Sequence, residues 1–90
     1  MDGRFSDNPD QGRFELDIAG QIAFANYRRT DEGLVIFHVE TPRALRGEGV
    51  AGMLMGRVVE AARSEGREVI PLCSYASSWM RRQRQSASVR

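Results

Sequence analysis

A glycine-rich segment near the middle of the chain has the residue types that bind phosphate. The segment consists of Arg46, Gly47, Glu48, Gly49, Val50 and Ala51. It separates an apolar run from a helical pattern, and this order leaves backbone N–H groups unpaired at the positive end of the helix dipole. The two glycines allow a positive φ and a close approach to the backbone, and the arginine adds a guanidinium suited to phosphate oxygens. We therefore predict a phosphate or pyrophosphate site here.

Three other residues could carry out chemistry near this segment. Cys73, the single cysteine, ends an apolar run and precedes a predicted helix, a position that favours a reactive thiolate. It could instead be a small buried apolar residue. His38 and Glu40 alternate onto one face of the strand that leads into the segment. Either could remove a proton, or the two could form a surface pair whose hydrogen bonds are satisfied.

The apolar periodicity predicts the elements that hold these residues. We expect strands at 12–18, 21–29, 34–40 and 68–73, a helix from 50 to about 65, and a short helix at 75–82. Met53 of the first helix and Trp79 of the second should face the core. The third strand is apolar almost throughout, which suggests burial on both faces. The fold is then α/β: an antiparallel sheet that leads into a parallel βαβ unit, plus a short C-terminal helix. We predict one domain over 1–90, with 1–11 and 83–90 flexible.

Two prolines give a further indication of the ligand. Pro42 follows the third strand and Pro71 lies within the fourth, and proline cannot donate to a strand ladder. We expect these two parallel strands to lose their pairing at their carboxyl ends and to separate there. An extended ligand arm could enter the gap while its pyrophosphate binds the glycine-rich segment. An acyl-CoA has this shape.

Composition and charge exclude several classes of protein. A net charge of +1 argues against a general nucleic-acid-binding protein. The chain has one cysteine and one histidine, too few of the usual ligands for a structural metal site. A single thiol fits a reducing compartment, and no apolar stretch has the length of a membrane span. We therefore expect a cytoplasmic protein with no metal site and no membrane partner.

The glycine-rich segment also matches a known family motif. Residues 46–51 fit the Arg/Gln-x-x-Gly-x-Gly/Ala turn of the GNAT superfamily of acetyl-CoA-dependent N-acetyltransferases. Together with Thr41-Pro42, the run 69–75 and Trp79, they resemble the small single-domain (YjdJ-type) members of that superfamily. The resemblance extends over about residues 14–82. Two features differ: no helices are inserted between the first strands, and the last helix lacks the usual ending of these relatives.

The resemblance implies binding of acetyl-CoA or CoA and acetyl transfer to a small-molecule or protein amine. The pyrophosphate would lie at residues 46–51, with Ser74 and Tyr75 near the pantetheine arm, although Ser74 could simply cap the last helix. Cys73 would take up the acetyl group or protonate the departing sulfur. A module that binds CoA without turnover is the alternative, and a nucleic-acid module is disfavoured. We expect a monomer or a weak dimer.

Overall fold

The computed structural model describes residues 3–88 as one five-stranded sheet with two helices. The elements are β1 (Arg4–Asn8), β2 (Arg13–Ile18), β3 (Gln21–Arg29), β4 (Leu34–Glu40), α1 (Val50–Ser64), β5 (Val69–Pro71) and α2 (Ser74–Ser88), with a 3-10 turn at Arg43–Leu45. The strands lie in chain order, with β1 to β4 antiparallel and β4 parallel to β5. The predicted α/β class and its parallel βαβ unit are confirmed.

The core lies between one face of the sheet and both helices. Alternation in the strands places every second side chain on this face. The buried residues are Phe14, Leu16, Ile18, Ala23, Ala25, Tyr27, Leu34, Ile36, Leu45, Val50, Leu54, Met55, Val58, Ala62 and Ala76. Met53, predicted to face the core, is 38% exposed because it lies at the margin of the apolar stripe of α1.

The first strand occupies a segment that the sequence predicted to be flexible. Arg4–Asn8 pairs antiparallel with β2 along its whole length. Phe5 stacks on Phe14 with 5.5 Å between ring centroids, and Asp7 accepts a hydrogen bond from Arg29 at 2.9 Å. The strand has only one large apolar residue, so it gives no hydrophobic alternation that a sequence pattern could reveal.

The end of α1 agrees with the prediction and is held by an ion pair. Gly66 has φ 69°, and the amide of Arg67 donates to the carbonyl of Ala62 at 2.9 Å, as in a Schellman motif. The guanidinium of Arg29 bonds both carboxylate oxygens of Glu65, at 2.9 and 2.8 Å. These hydrogen bonds hold the pKa of Glu65 below its ordinary value.

The last strand is shorter than the predicted 68–73 and pairs differently. The amide of Leu72 donates to the carbonyl of Ile36 at 2.8 Å. Because alternate residues of a strand face the same neighbour, the nitrogen of Pro71 faces the outer edge, where proline is tolerated. The prediction that Pro71 breaks the pairing with β4 is therefore wrong. A gap does open, but beyond Leu72, where the chain turns into α2 while β4 continues to Glu40.

A bulge in β4 changes which face its residues occupy. Asn26 pairs with His38, and the next residue, Tyr27, pairs with Ile36, so Phe37 is the extra residue. Ile36 is fully buried before the bulge, whereas Phe37 and His38 are both exposed. The prediction that this strand is buried on both faces is wrong. Within residues 3–88, both helices pack on the core face, and the opposite face of the sheet is open.

The second helix is longer than predicted. It continues to Ser88, past the expected end at residue 82 and into the segment 83–90 that was expected to be flexible. Its last turns contain Arg, Gln, Ala and Ser, which a helix accepts at little cost. The flexibility predicted for residues 1, 2, 89 and 90 lies outside the described residues. In the part of the chain that the structure describes, neither helix is long and apolar enough to cross a membrane.

Candidate functional site

A cleft of about 510 Å³ opens where β4, the glycine-rich segment and the start of α2 meet. All of the predicted site residues line it except Glu48, Cys73 and Ser74. Residues as far apart in the chain as His38 and Tyr75 therefore meet at one place. The spacing of β4, the turn and β5 predicted this arrangement, although the pairing argument based on Pro71 was wrong.

The glycine-rich segment has the backbone conformation that the sequence predicted. Gly47 and Gly49 have φ 84° and 77°, in the left-handed region. A Cβ built on either glycine would meet nothing within 4 Å, so the requirement for glycine is conformational, and the space above the backbone is free for a ligand. The Nε–H of Arg46 donates to the carbonyl of Thr41 at 3.3 Å, which directs the guanidinium along this wall.

The N-terminus of α1 has no side-chain cap. Gly49 is the N-cap residue, and the amide of Met53 donates to its carbonyl at 3.1 Å as the first intrahelical bond. The amides of Val50, Ala51 and Gly52 precede this bond and have no acceptor within the helix. All three residues line the cleft. Free amides and the helix dipole together make this end of the cleft a site for an anion.

His38 and Glu40 form a polar pair at the other end of the cleft. The Nε2 atom of His38 lies 2.9 Å from Oε1 of Glu40, and both side chains are 52% exposed. Both residues line the cleft. When the carboxylate accepts a hydrogen bond from one ring nitrogen, the other nitrogen is left as a proton acceptor. The pair can therefore take up a proton and pass it to water.

The backbone of Val39, which the sequence analysis did not identify, faces the gap beside β4. The backbone N–H of Tyr27 points toward β2, where it donates to the carbonyl of Gly12. The backbone N–H and C=O of the adjacent Asn26 therefore point toward β4. His38 pairs with Asn26 and faces β3, so Val39 turns its N–H and C=O to the opposite side, where β5 has ended. Only the bulge produces this arrangement, and the residue pattern gave no sign of it.

Cys73, and not Ser74, caps α2. Its Sγ accepts a hydrogen bond from the amide of Ala76 at 3.3 Å, and its carbonyl accepts one from Ser77 at 3.0 Å. Both bonds are typical of an N-cap residue, so the predicted cap was wrong by one position. Cys73 is partly buried against the core and does not line the cleft.

The two helices come close together at Gly52, a second residue that the sequence analysis did not identify. A Cβ there would lie 3.4 Å from Nε1 of Trp79 and 3.8 Å from the hydroxyl oxygen of Tyr75. Tyr75 also lines the cleft, and Trp79 packs against the core, as predicted. A glycine inside a helix costs about 1 kcal/mol relative to alanine, so its presence could have indicated a close approach.

The residues of the cleft fit a phosphate-bearing acyl carrier. One end provides the free amides of 50–52 and the left-handed glycines, which match a pyrophosphate. The other end provides the free main chain of Val39 beside the His38–Glu40 pair. Leu45 contributes an apolar side chain to the same wall. An acyl group held at the strand end would thus lie next to a proton acceptor.

Comparison with known proteins agrees with this fit. A family model described as GCN5-related N-acetyl-transferase matches residues 13–89, from the start of β2 through α2. A search of curated proteins finds no match to the chain. Members of the matched family transfer acetyl groups and use acetyl-CoA as the donor. The match extends over most of the chain and includes every element that forms the cleft, so the protein belongs to the GCN5-related N-acetyltransferase family.

Proposed function

We propose that this protein transfers the acetyl group of acetyl-CoA to a primary amine. One observation carries the proposal: the uncapped N-terminus of α1 and the His38–Glu40 pair line the same cleft. The first is suited to the phosphates of the donor, and the second is suited to the proton that an amine must lose.

The donor is proposed to bind along the wall of the cleft. The amides of Val50, Ala51 and Gly52 would hold the pyrophosphate, with the Arg46 guanidinium as a further charge. Tyr75 would contact the arm that extends from it. The main-chain N–H of Val39 would donate a hydrogen bond to the thioester oxygen, where negative charge develops as the amine attacks.

Acetyl-CoA supplies a thioester carbon that a neutral amine can attack. The amine nitrogen forms the amide bond as the carbon–sulfur bond breaks, one proton leaves the nitrogen, and one proton is added to the departing thiolate. The His38–Glu40 pair is proposed to take the first proton, directly or through water. Its exposure lets the proton continue to solvent.

Cys73 is proposed to deliver the second proton, to the departing sulfur. Its Sγ lies at the N-terminus of α2, two residues before Tyr75 of the cleft wall, and is bonded to the Ala76 amide. A thiol that is partly buried and off the cleft wall is better placed to supply a proton through water than to take up the acetyl group itself.

A module that binds CoA without turnover is the second candidate. The observation that favours it is the half-exposed state of both His38 and Glu40, because an exposed pair has no enclosing wall to hold an acceptor. This candidate requires the same donor site but no proton acceptor. The two proposals therefore agree on the donor site and differ in the proton transfers assigned to the His38–Glu40 pair and to Cys73.

Two measurements separate these proposals. Calorimetry should detect saturable binding of CoA and acetyl-CoA, and no binding would refute both candidates. A screen of polyamines, amino acids and lysine peptides with acetyl-CoA should find turnover, and Glu40→Gln should lower kcat at least about 100-fold if the pair acts as the base. Glu60→Gln, on the exposed side of α1, is the matched control and should be active. Binding without turnover for any amine would favour the module.

A further inference from the structure

The open face of the sheet has an exposed apolar patch beside the cleft. Phe37 is 46% exposed and Leu72 is 67% exposed. The amide of Leu72 bonds the carbonyl of Ile36 at 2.8 Å, which places Leu72 beside Phe37 on the neighbouring strand, about 4.8 Å away. Two large apolar side chains thus lie together in water at the point where β5 ends. We call them the Phe37–Leu72 patch.

The patch continues along the same two strands. Val35 pairs in register with Ile70, one step before the patch on the same face, and both are half-buried. Ile36 pairs with Pro71 and faces the core instead. Apolar side chains therefore cover this corner of the open face, although no helix of residues 3–88 packs on it. Contiguous exposed apolar groups of this kind mark binding surfaces.

The position of the patch connects it with the reaction. Phe37 directly precedes His38, and Leu72 directly precedes Cys73. The bulge that exposes Phe37 also exposes His38. A molecule on the patch would therefore lie against the side of the cleft from which an amine must reach the His38–Glu40 pair.

We propose that the Phe37–Leu72 patch docks a polypeptide acceptor, in which the reacting amine is a lysine side chain with an apolar residue close to it. This inference rests on the proposed acetyl transfer and names its substrate class. The carboxylate of Glu40 attracts the lysine ammonium before it is deprotonated. The apolar neighbour of the lysine covers Phe37 and Leu72, which supplies the affinity that an open cleft lacks.

Other occupants fit the patch less well. A second copy of the chain seated there would also cover the approach to His38 and Glu40 and would block the acceptor. A small polyamine could reach Glu40 but would leave both apolar side chains in water. A peptide with a lysine and an apolar side chain satisfies the charge and the patch together.

The test uses two peptides of equal length that contain one lysine, with leucine beside it in one and serine in the other, and spermidine as a small amine. With the wild-type protein we expect kcat/KM to be about tenfold higher for the leucine peptide than for the serine peptide. Phe37→Ser and Leu72→Ser should each raise KM for the leucine peptide several-fold and leave spermidine turnover and acetyl-CoA binding unchanged. Met53→Ser, which removes an exposed apolar residue of α1, is the control and should behave like wild type.

The outcomes distinguish this inference from the function beneath it. Equal rates for both peptides, or unchanged KM in both patch variants while amines are still acetylated, would refute the docking proposal alone. The docking proposal would also be refuted if the wild-type protein were a dimer and the patch variants were monomers with an unchanged KM for the peptide. A second copy of the chain would then be the occupant of the patch. No turnover of any amine would instead refute the acetyl transfer on which the proposal rests.

Discussion

The two helices begin in opposite ways. At α1 the N-cap residue is Gly49, which offers no side chain, and the first amides open into the cleft. At α2 the N-cap residue is Cys73, whose Sγ accepts the amide of Ala76 at 3.3 Å. Helix stability alone would favour a side-chain cap at the start of each helix, since such a cap contributes about 1 kcal/mol. The missing cap at α1 therefore leaves donors free for a ligand, whereas the start of α2 is closed by its own chain.

Introducing a charged side-chain cap at the N-terminus of α1 should have the largest effect. Gly49→Asp places a carboxylate at the amides of α1, where it competes with the donor pyrophosphate and repels it. We expect CoA affinity to fall about 100-fold, which corresponds to about 2.7 kcal/mol. Gly49→Asn has nearly the same shape without the charge and should lose much less. Calorimetry measures both, and equal losses would show that backbone strain, not charge, governs the site.

Removing the side-chain cap at the N-terminus of α2 should have a smaller effect. Cys73→Ala removes the cap of α2 and should lower the free energy of unfolding by about 1 kcal/mol, or Tm by about 5 °C. Cys73→Ser keeps an N-cap acceptor and should retain stability, while turnover should fall if the thiol supplies the proton to the departing sulfur, as proposed. Thermal unfolding and kcat are measured for both variants. Full activity in the serine variant would mean that Cys73 acts only as a cap.

A substitution at Gly52, where the first turns of the two helices meet, should have a smaller effect and should stabilise the fold. Gly52→Ala removes a helical glycine, and its Cβ would lie 3.4 Å from Nε1 of Trp79, a tight but tolerable distance. We expect a net gain of about 0.5 kcal/mol, or about 3 °C in Tm. A loss of stability would show that Trp79 cannot yield and that the helices require glycine at this contact.

A substitution at the far end of α1 should have an equally small effect at neutral pH, and this effect should disappear in acid. The Arg29 guanidinium lowers the pKa of Glu65, so this pair stabilises the fold at neutral pH, and its contribution is lost as pH falls through the lowered pKa. Glu65→Gln should cost about 0.5 kcal/mol at pH 7 and almost nothing at a pH below the lowered pKa, where the carboxyl group is protonated in both states. Chemical unfolding at both pH values tests this. An equal cost at both values would exclude the ion pair as the cause.

The sequence predicted well wherever a local pattern determines the structure. The alternation in β2 predicted the buried Phe14, Leu16 and Ile18, and the two glycines of the turn predicted its left-handed backbone. It also predicted the order of strand, turn and helix around the glycine-rich segment, whose residues carry the family resemblance. These features follow from side-chain period and steric freedom within a few residues.

The sequence failed where a neighbouring strand or a single position decides the structure. The polar β1 is held by pairing with β2, which no pattern within residues 4–8 reveals. The orientation of Pro71 depends on which edge of β5 faces β4. The cap of α2 moved by one residue to Cys73 because the strand ended earlier than its apolar run suggested. The free backbone of Val39 required knowledge of the bulge.

The polarity of the residues that follow the bulge explains why β4 keeps the bulge at Phe37. In a regular ladder, His38 and Glu40 would stand opposite Ala25 and Ala23, both of which are fully buried. Forcing an imidazole and a carboxylate beneath α1 would cost several kcal/mol. The polarity of the two residues therefore excludes the regular register. Replacing both with valine would allow the strand to slide by one residue and would remove the exposed backbone edge at Val39.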